Sequence, residues 1–161
     1  MSGDWLSRLP ETAHGIKVQR PARTDVALPD GYDEAVPLVD PYEAYAFQSF
    51  RRRNADGTIT YCLPTDERHD NSSGVIHGGL LMTFADSVLG YVAWGACPPN
   101  SWCVTVSQSS TFLRAGRPGD LIEVTPVVTR ATRTMVFTRG DFLVRGEAIF
   151  QAASVWKITG Q

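Results

Sequence analysis

The run Asn71-Ser72-Ser73-Gly74-Val75-Ile76-His77-Gly78-Gly79, continuing through Leu80 and Phe84 to Asp86 and Gly90, decides how this chain folds. It begins as a polar loop and turns apolar at His77-Gly78-Gly79. On a 3.6-residue period Leu80, Leu81, Phe84, Val88, Tyr91 and Val92 fall on one stripe. That predicts a helix over residues 79–94 with the stripe against a core. Gly95 and then Pro98-Pro99 stop it.

Upstream, the alternation over residues 44–53 reads as a strand. Asn54-Ala55-Asp56-Gly57 reads as a hairpin turn and residues 58–63 as the partner strand, with polar loop over 64–76. Downstream come four strand-like runs, residues 102–113, 121–130, 134–144 and 147–158. The breaks between them are short, as in an antiparallel meander. Two strands, one long apolar helix and four strands make an α+β fold whose antiparallel sheet must curl around the helix to cover it. Residues 1–41, rich in proline and charge, read as a largely irregular arm with a short helix around residues 4–13. Residues 42–161 read as the domain.

Composition narrows the function. A net charge of -2 and a pI near 5.9 leave no basic footprint, so no nucleic-acid partner is expected. No stretch approaches the roughly 20 apolar residues of a membrane helix. The first residues, with Asp4, Arg8 and Glu11, lack the apolar run of a signal peptide. Cys62, Cys97 and Cys103 have no C-x-x-C spacing and no histidine at metal-like spacing. Neither a disulfide framework nor a structural zinc is expected, and the expected setting is cytoplasmic.

Two features point to chemistry. The glycine pair at a loop-to-helix junction permits close backbone approach, and free amides at a helix start favour negative charge. Such amides can stabilise the oxyanion of acyl transfer. A tight helix start capped by His77 explains the same glycines. The second feature is Asp86, which points away from the Leu80/Phe84/Val88 stripe towards Met82, Leu89, Gly90 and Ala93, with no basic neighbour. An acid in such company suits a contact surface or pocket better than a solvated face. His77 and Asp86 are nine residues apart, about 13 Å of helical rise, on opposite sides of one helix. A single chain can hardly bring both to one carbon. Either two copies meet around a two-fold axis, or the residues do not cooperate.

Asn-x5-His-Gly-Gly-x6-Asp-x3-Gly over residues 71–90 resembles the signature of the PaaI-like, THEM2-like branch of hotdog-fold thioesterases. The order and spacing of elements extend the resemblance over roughly residues 42–158. Thr105 matches a Ser/Thr position on the strand after the helix. Phe112-Leu113-Arg114-Ala115 with Gly119-Asp120 resembles that family's strand end and turn. The resemblance implies a hotdog fold, a curved antiparallel sheet wrapped around one long central helix, and hydrolysis of an acyl-CoA to free acid and CoA. It implies Asp86 as general base or nucleophile, the Gly78 amide as oxyanion donor and His77 polarising the thioester. It also implies that Asn71 positions water or thioester and that Thr105 bonds near the attacking water. Gly79 lies beside the substrate. Arg114, Arg117, Arg130 and Arg133, near strand ends, are candidates to meet the CoA phosphates. No cofactor is expected, since coenzyme A is part of the substrate, and no metal. A homodimer is expected, with a dimer of dimers as an extension.

Two other functions fit the same outline. A non-catalytic acyl-CoA sensor could dispense with the acid, whereas this chain keeps Asn71, His77 and Asp86 together. A hotdog hydratase or dehydratase would place its acid and histidine in other motifs. Phe84, Tyr91, Trp94, Trp102 and Phe112 are aromatic candidates for the acyl pocket or for the core.

Overall fold

A computed structural model of the chain describes residues 26–37 and 39–160. The short helix expected around residues 4–13, with most of the arm, lies outside the described residues.

The central helix α2, Gly78–Gly95, is the element that positions everything else. Its buried face is Leu81, Phe84, Ala85, Val88, Leu89 and Ala93, while Leu80, Tyr91 and Val92 are only half-buried. The stripe is thus rotated slightly from the expected one. Leu89 and Ala93, expected beside Asp86 on the outer side, are fully buried.

Among the described residues eight strands form one sheet: β1 Glu34–Ala35, β2 Phe50–Arg53, β3 Ile59–Pro64, β4 Trp102–Phe112, β5 Leu121–Val124, β6 Val127–Ala131, β7 Met135–Val144 and β8 Glu147–Thr159. Their order is β1-β2-β3-β5-β7-β8-β4, with β6 also paired to β7 and every pairing antiparallel. The sheet wraps α2 in the α+β arrangement expected. Along β7 the inward positions are Val136, Thr138, Gly140 and Phe142, the period-two burial of a half-covered strand. Phe84 of the helix meets Phe142 edge-on at 5.7 Å, and Phe142 meets Phe150 of β8 at 5.2 Å, so helix and sheet interlock through aromatic rings. Gly140 is where the layers come closest: a side chain there would lie 2.8 Å from Val124 and 3.6 Å from Leu89.

Three expectations need correction. Residues 44–53 do not form one strand. Pro41–Ala46 is a short helix, α1, because Asp40 caps it, accepting from the Tyr42 and Glu43 amides, and Pro41 occupies its first turn. The strand expected over 121–130 is two strands, β5 and β6, on either side of Pro126, which has no N–H for the ladder. The sheet also starts before residue 42. Glu34–Ala35 pairs with β2, and Tyr32 and Val36 are buried.

Candidate active site

The loop before α2 is clamped by its own backbone. Asn71 Oδ1 accepts from Ser73 N at 2.8 Å, Asn71 N donates to Val75 O, and Gly74 takes a positive φ of 69°. Ile76 N donates to Gly116 O, and His77 N to His69 O at 2.8 Å. His77 is therefore delivered to the helix start in a fixed position. It is the N-cap, and its Nδ1 accepts from Gly79 N at 2.9 Å. With Nδ1 accepting, the ring's proton sits on Nε2, free to donate outward.

Both glycines have a steric reason. A side chain on Gly79 would lie 2.9 Å from His77 Nδ1, and one on Gly78 3.0 Å from the Phe112 ring. The Gly78 N–H makes no hydrogen bond among the described residues. It is an orphan amide at a helix N-terminus, one residue beyond the capping histidine.

Asp86 lies further along the same helix and is exposed. Thr105 Oγ1 donates to Asp86 Oδ1 at 2.8 Å. The β4–β8 register slips between Thr105 and Ser107, and such a bulge re-aims a strand's side chains. β4 follows α2 in the opposite direction, with Thr105 at Asp86, Gln108 Nε2 bonded to Met82 O at 3.1 Å, and Phe112 over Gly78.

These residues fall into two separate clusters. His77 and Gly79 line a cleft with His69 and Tyr45. Asp86 lines another, of about 600 Å³, with Ser87, Tyr91, Trp94, Trp102 and Glu43. Within one chain the structure joins Asp86 to Thr105, and Asn71 to the helix start that holds His77 and Gly78. It does not join the two groups. Nor does it join the arginines. Arg114 is ion-paired with Glu147, and Arg117 lies in the turn before β5. Arg130 pairs opposite Phe137 at the other end of β7, with Arg133 in the turn beyond. That separates the pairs by on the order of 20 Å, so one protomer cannot set all four on one nucleotide. Of the aromatic candidates, Phe84 is fully buried core, Phe112 covers Gly78, and Tyr91, Trp94 and Trp102 line the Asp86 cleft.

Glu43 was not anticipated. It is 7% exposed and accepts from Tyr91 Oη, its carboxylate oxygens 2.5 and 2.6 Å away; Ser87 also bonds to it. Burial pushes its carboxyl above the usual range, and burial holds the Tyr91 phenol far above its own. The signal was Asp40-Pro41-x-Glu43, a capping pattern that the alternation over 44–53 obscured. Among the described residues no three His, Cys, Asp or Glu side chains are placed to hold a metal ion, and no helix is long and apolar enough to cross a membrane.

The thioesterase superfamily model matches residues 73–148, which include His77, Asp86 and Thr105. A Pseudomonas aeruginosa protein named Putative esterase PA0474 is 33% identical over 130 residues, covering 79% of this chain and 93% of its own length. The chain belongs to the thioesterase superfamily. Its enzyme class is that of the thioester hydrolases. Human acyl-coenzyme A thioesterase 13 is 28% identical over 87 residues, 54% of this chain and 61% of that protein. The crystal structure of a hypothetical thioesterase protein from Streptococcus pneumoniae with coenzyme A superposes with a TM-score of 0.63 at 24% identity, covering 70% of this chain and 90% of that one. That likeness shows the fold, the hotdog architecture that the signature implied.

Proposed function

We propose that the protein hydrolyses acyl-CoA thioesters, at two equivalent sites each built from both chains of a homodimer. The observation that carries this reading is the division of the site: an orphan Gly78 amide and an outward His77 Nε2 at one end of α2, and an exposed Asp86 held by Thr105 two and a half turns away. A two-fold axis near Met82 would bring each half opposite the other half of the second copy. The edge strand beside them supports it. Among the described residues β4 pairs only with β8; it runs eleven residues and exposes Trp102, Val104, Val106 and Phe112. A long apolar edge of this kind is normally covered. The human relative is named for acyl-CoA hydrolysis, and the pneumococcal structure contains coenzyme A.

In the reaction, the thioester oxygen lies at the Gly78 amide and His77 Nε2 of one chain. Water attacks the carbonyl carbon while Asp86 of the other chain takes its proton, with Thr105 holding one carboxylate oxygen so that the other faces the water. The oxyanion collapses, the C–S bond breaks, and the thiolate leaves and is reprotonated from Asp86. Losing the oxyanion amide would cost roughly 3–4 kcal/mol of barrier. No step draws on a metal or cofactor.

Asp86→Ala tests the assignment. Because Asp86 is exposed, the variant should keep its fold and its mass in solution. Its hydrolysis of a panel of acyl-CoAs, followed by thiol release, should fall by at least about a hundredfold. Wild-type turnover in that variant would refute the role. A single turnover in ¹⁸O-water tests for a nucleophile: label in the Asp86 side chain marks an anhydride opened by water at the Asp86 carbonyl.

A further inference from the structure

The Asp86 cleft extends beyond the reacting groups, and its far wall is unusual. Trp94, Trp102 and Trp156 contribute to its apolar surface, together with Val39 and Met82. The Trp94 indole N–H is spent on Ser101 O and that of Trp156 on Thr138 Oγ1, so neither is available to a ligand as a donor. Set into this apolar surface is Glu43, nine-tenths buried, bonded to Tyr91 and Ser87. Among the described residues of this chain no lysine, arginine or histidine lines the cleft.

We infer that Glu43 is a specificity-determining residue that closes this pocket to acyl groups ending in a carboxylate, and leaves it open to uncharged ones. The inference rests on the proposed placing of the thioester at Asp86. Ser87 and Tyr91, which hold Glu43, lie one and five residues further along α2, up to roughly 7.5 Å of rise. A six-carbon acyl chain reaching down the cleft from Asp86 ends at that level. A terminal carboxylate there would lie against aromatic rings beside the acids Asp40 and Glu43, with no cation from the described residues of its own chain to pair. Burial of an unpaired charge is among the costliest things a site can be asked to do. A methyl end meets the indole faces, and a hydroxyl end has Glu43 to bond. α1 thereby gains a function: its cap at Asp40 and its buried Glu43 set the acidic wall against α2.

Three six-carbon thioesters test this: hexanoyl-CoA, its ω-hydroxy derivative and adipoyl-CoA. With wild-type protein, kcat/KM for adipoyl-CoA should be at least about thirtyfold below hexanoyl-CoA, as expected for an unpaired buried charge. The ω-hydroxy ester should stay within about fivefold of hexanoyl-CoA. In Glu43→Gln the adipoyl penalty, read as the ratio of kcat/KM for hexanoyl-CoA to that for adipoyl-CoA, should shrink about tenfold. Equal use of adipoyl-CoA overturns the inference, as does equal rejection of the hydroxy ester or an unchanged penalty in a folded Glu43→Gln. Calorimetry with the three corresponding S-alkyl-CoA thioethers, on wild-type protein, reads the pocket without catalysis. If none of the esters is hydrolysed, the reaction proposed above fails. The thioether affinities then still decide the pocket: tighter hexyl than carboxypentyl binding upholds the inference, and equal binding refutes it.

Discussion

Burial of Glu43 ties the stability of this fold to pH. Unfolded, the side chain titrates near its ordinary 4.5; folded, it keeps its proton to higher pH because it is out of water and faces Asp40 and Asp86. Its contribution to stability is fully present below 4.5 and is lost as pH rises through the folded value. Glu43→Gln replaces it with a group that never ionises and still accepts from Tyr91. The melting temperature of that variant relative to wild type should therefore climb as pH rises above 4.5 and level off once folded Glu43 has ionised, measured by scanning calorimetry at each pH. A flat difference would mean that Glu43 titrates as an exposed residue does. At this scale the sequence was uneven as a guide. The positions of His77 and Gly78 at a helix start and of Asp86 further along that helix were readable because such features leave local marks. Glu43 was not, because what makes it unusual is Tyr91, forty-eight residues away.

Helix α1 has only six residues, far too few to persist alone. It is held by its cap, by Pro41, and by Glu43 and Ala44 against the body of the protein. Asp40→Ala should remove the acceptor for two amides and cost about 1 kcal/mol, read as a lower urea midpoint with an unchanged slope. No loss would mean that packing alone holds α1. The same physics explains which elements could be read beforehand. α2 was legible because its apolar period runs for eighteen residues and is bounded by glycines and prolines. α1 was not, because six residues are shorter than the window in which a 3.6 period separates from alternation. Pro126 did carry the signal for splitting β5 from β6, since a residue without an N–H cannot sit in the middle of a ladder.

At the scale of the whole molecule, the distance along α2 argues for a second chain. The separation of His77 from Asp86 was legible in their spacing, whereas the exposed β4 edge emerges only when the sheet is assembled. The shared site makes a prediction that no single-chain site can meet. His77→Ala and Asp86→Ala proteins should each be nearly inactive. In a mixed dimer, the intact His77 of one chain faces the intact Asp86 of the other at one site, while both are missing at the second. Mixing equal amounts and allowing exchange, by dilution or mild denaturant and refolding, should make half the dimers mixed. Activity should recover to about a quarter of wild type. If each chain instead carried its own complete site, every chain in the mixture would still lack one residue, and nothing would be regained. Exchange is verified independently by mass spectrometry of the intact mixed dimer. Full exchange without recovered hydrolysis would therefore count against the shared site.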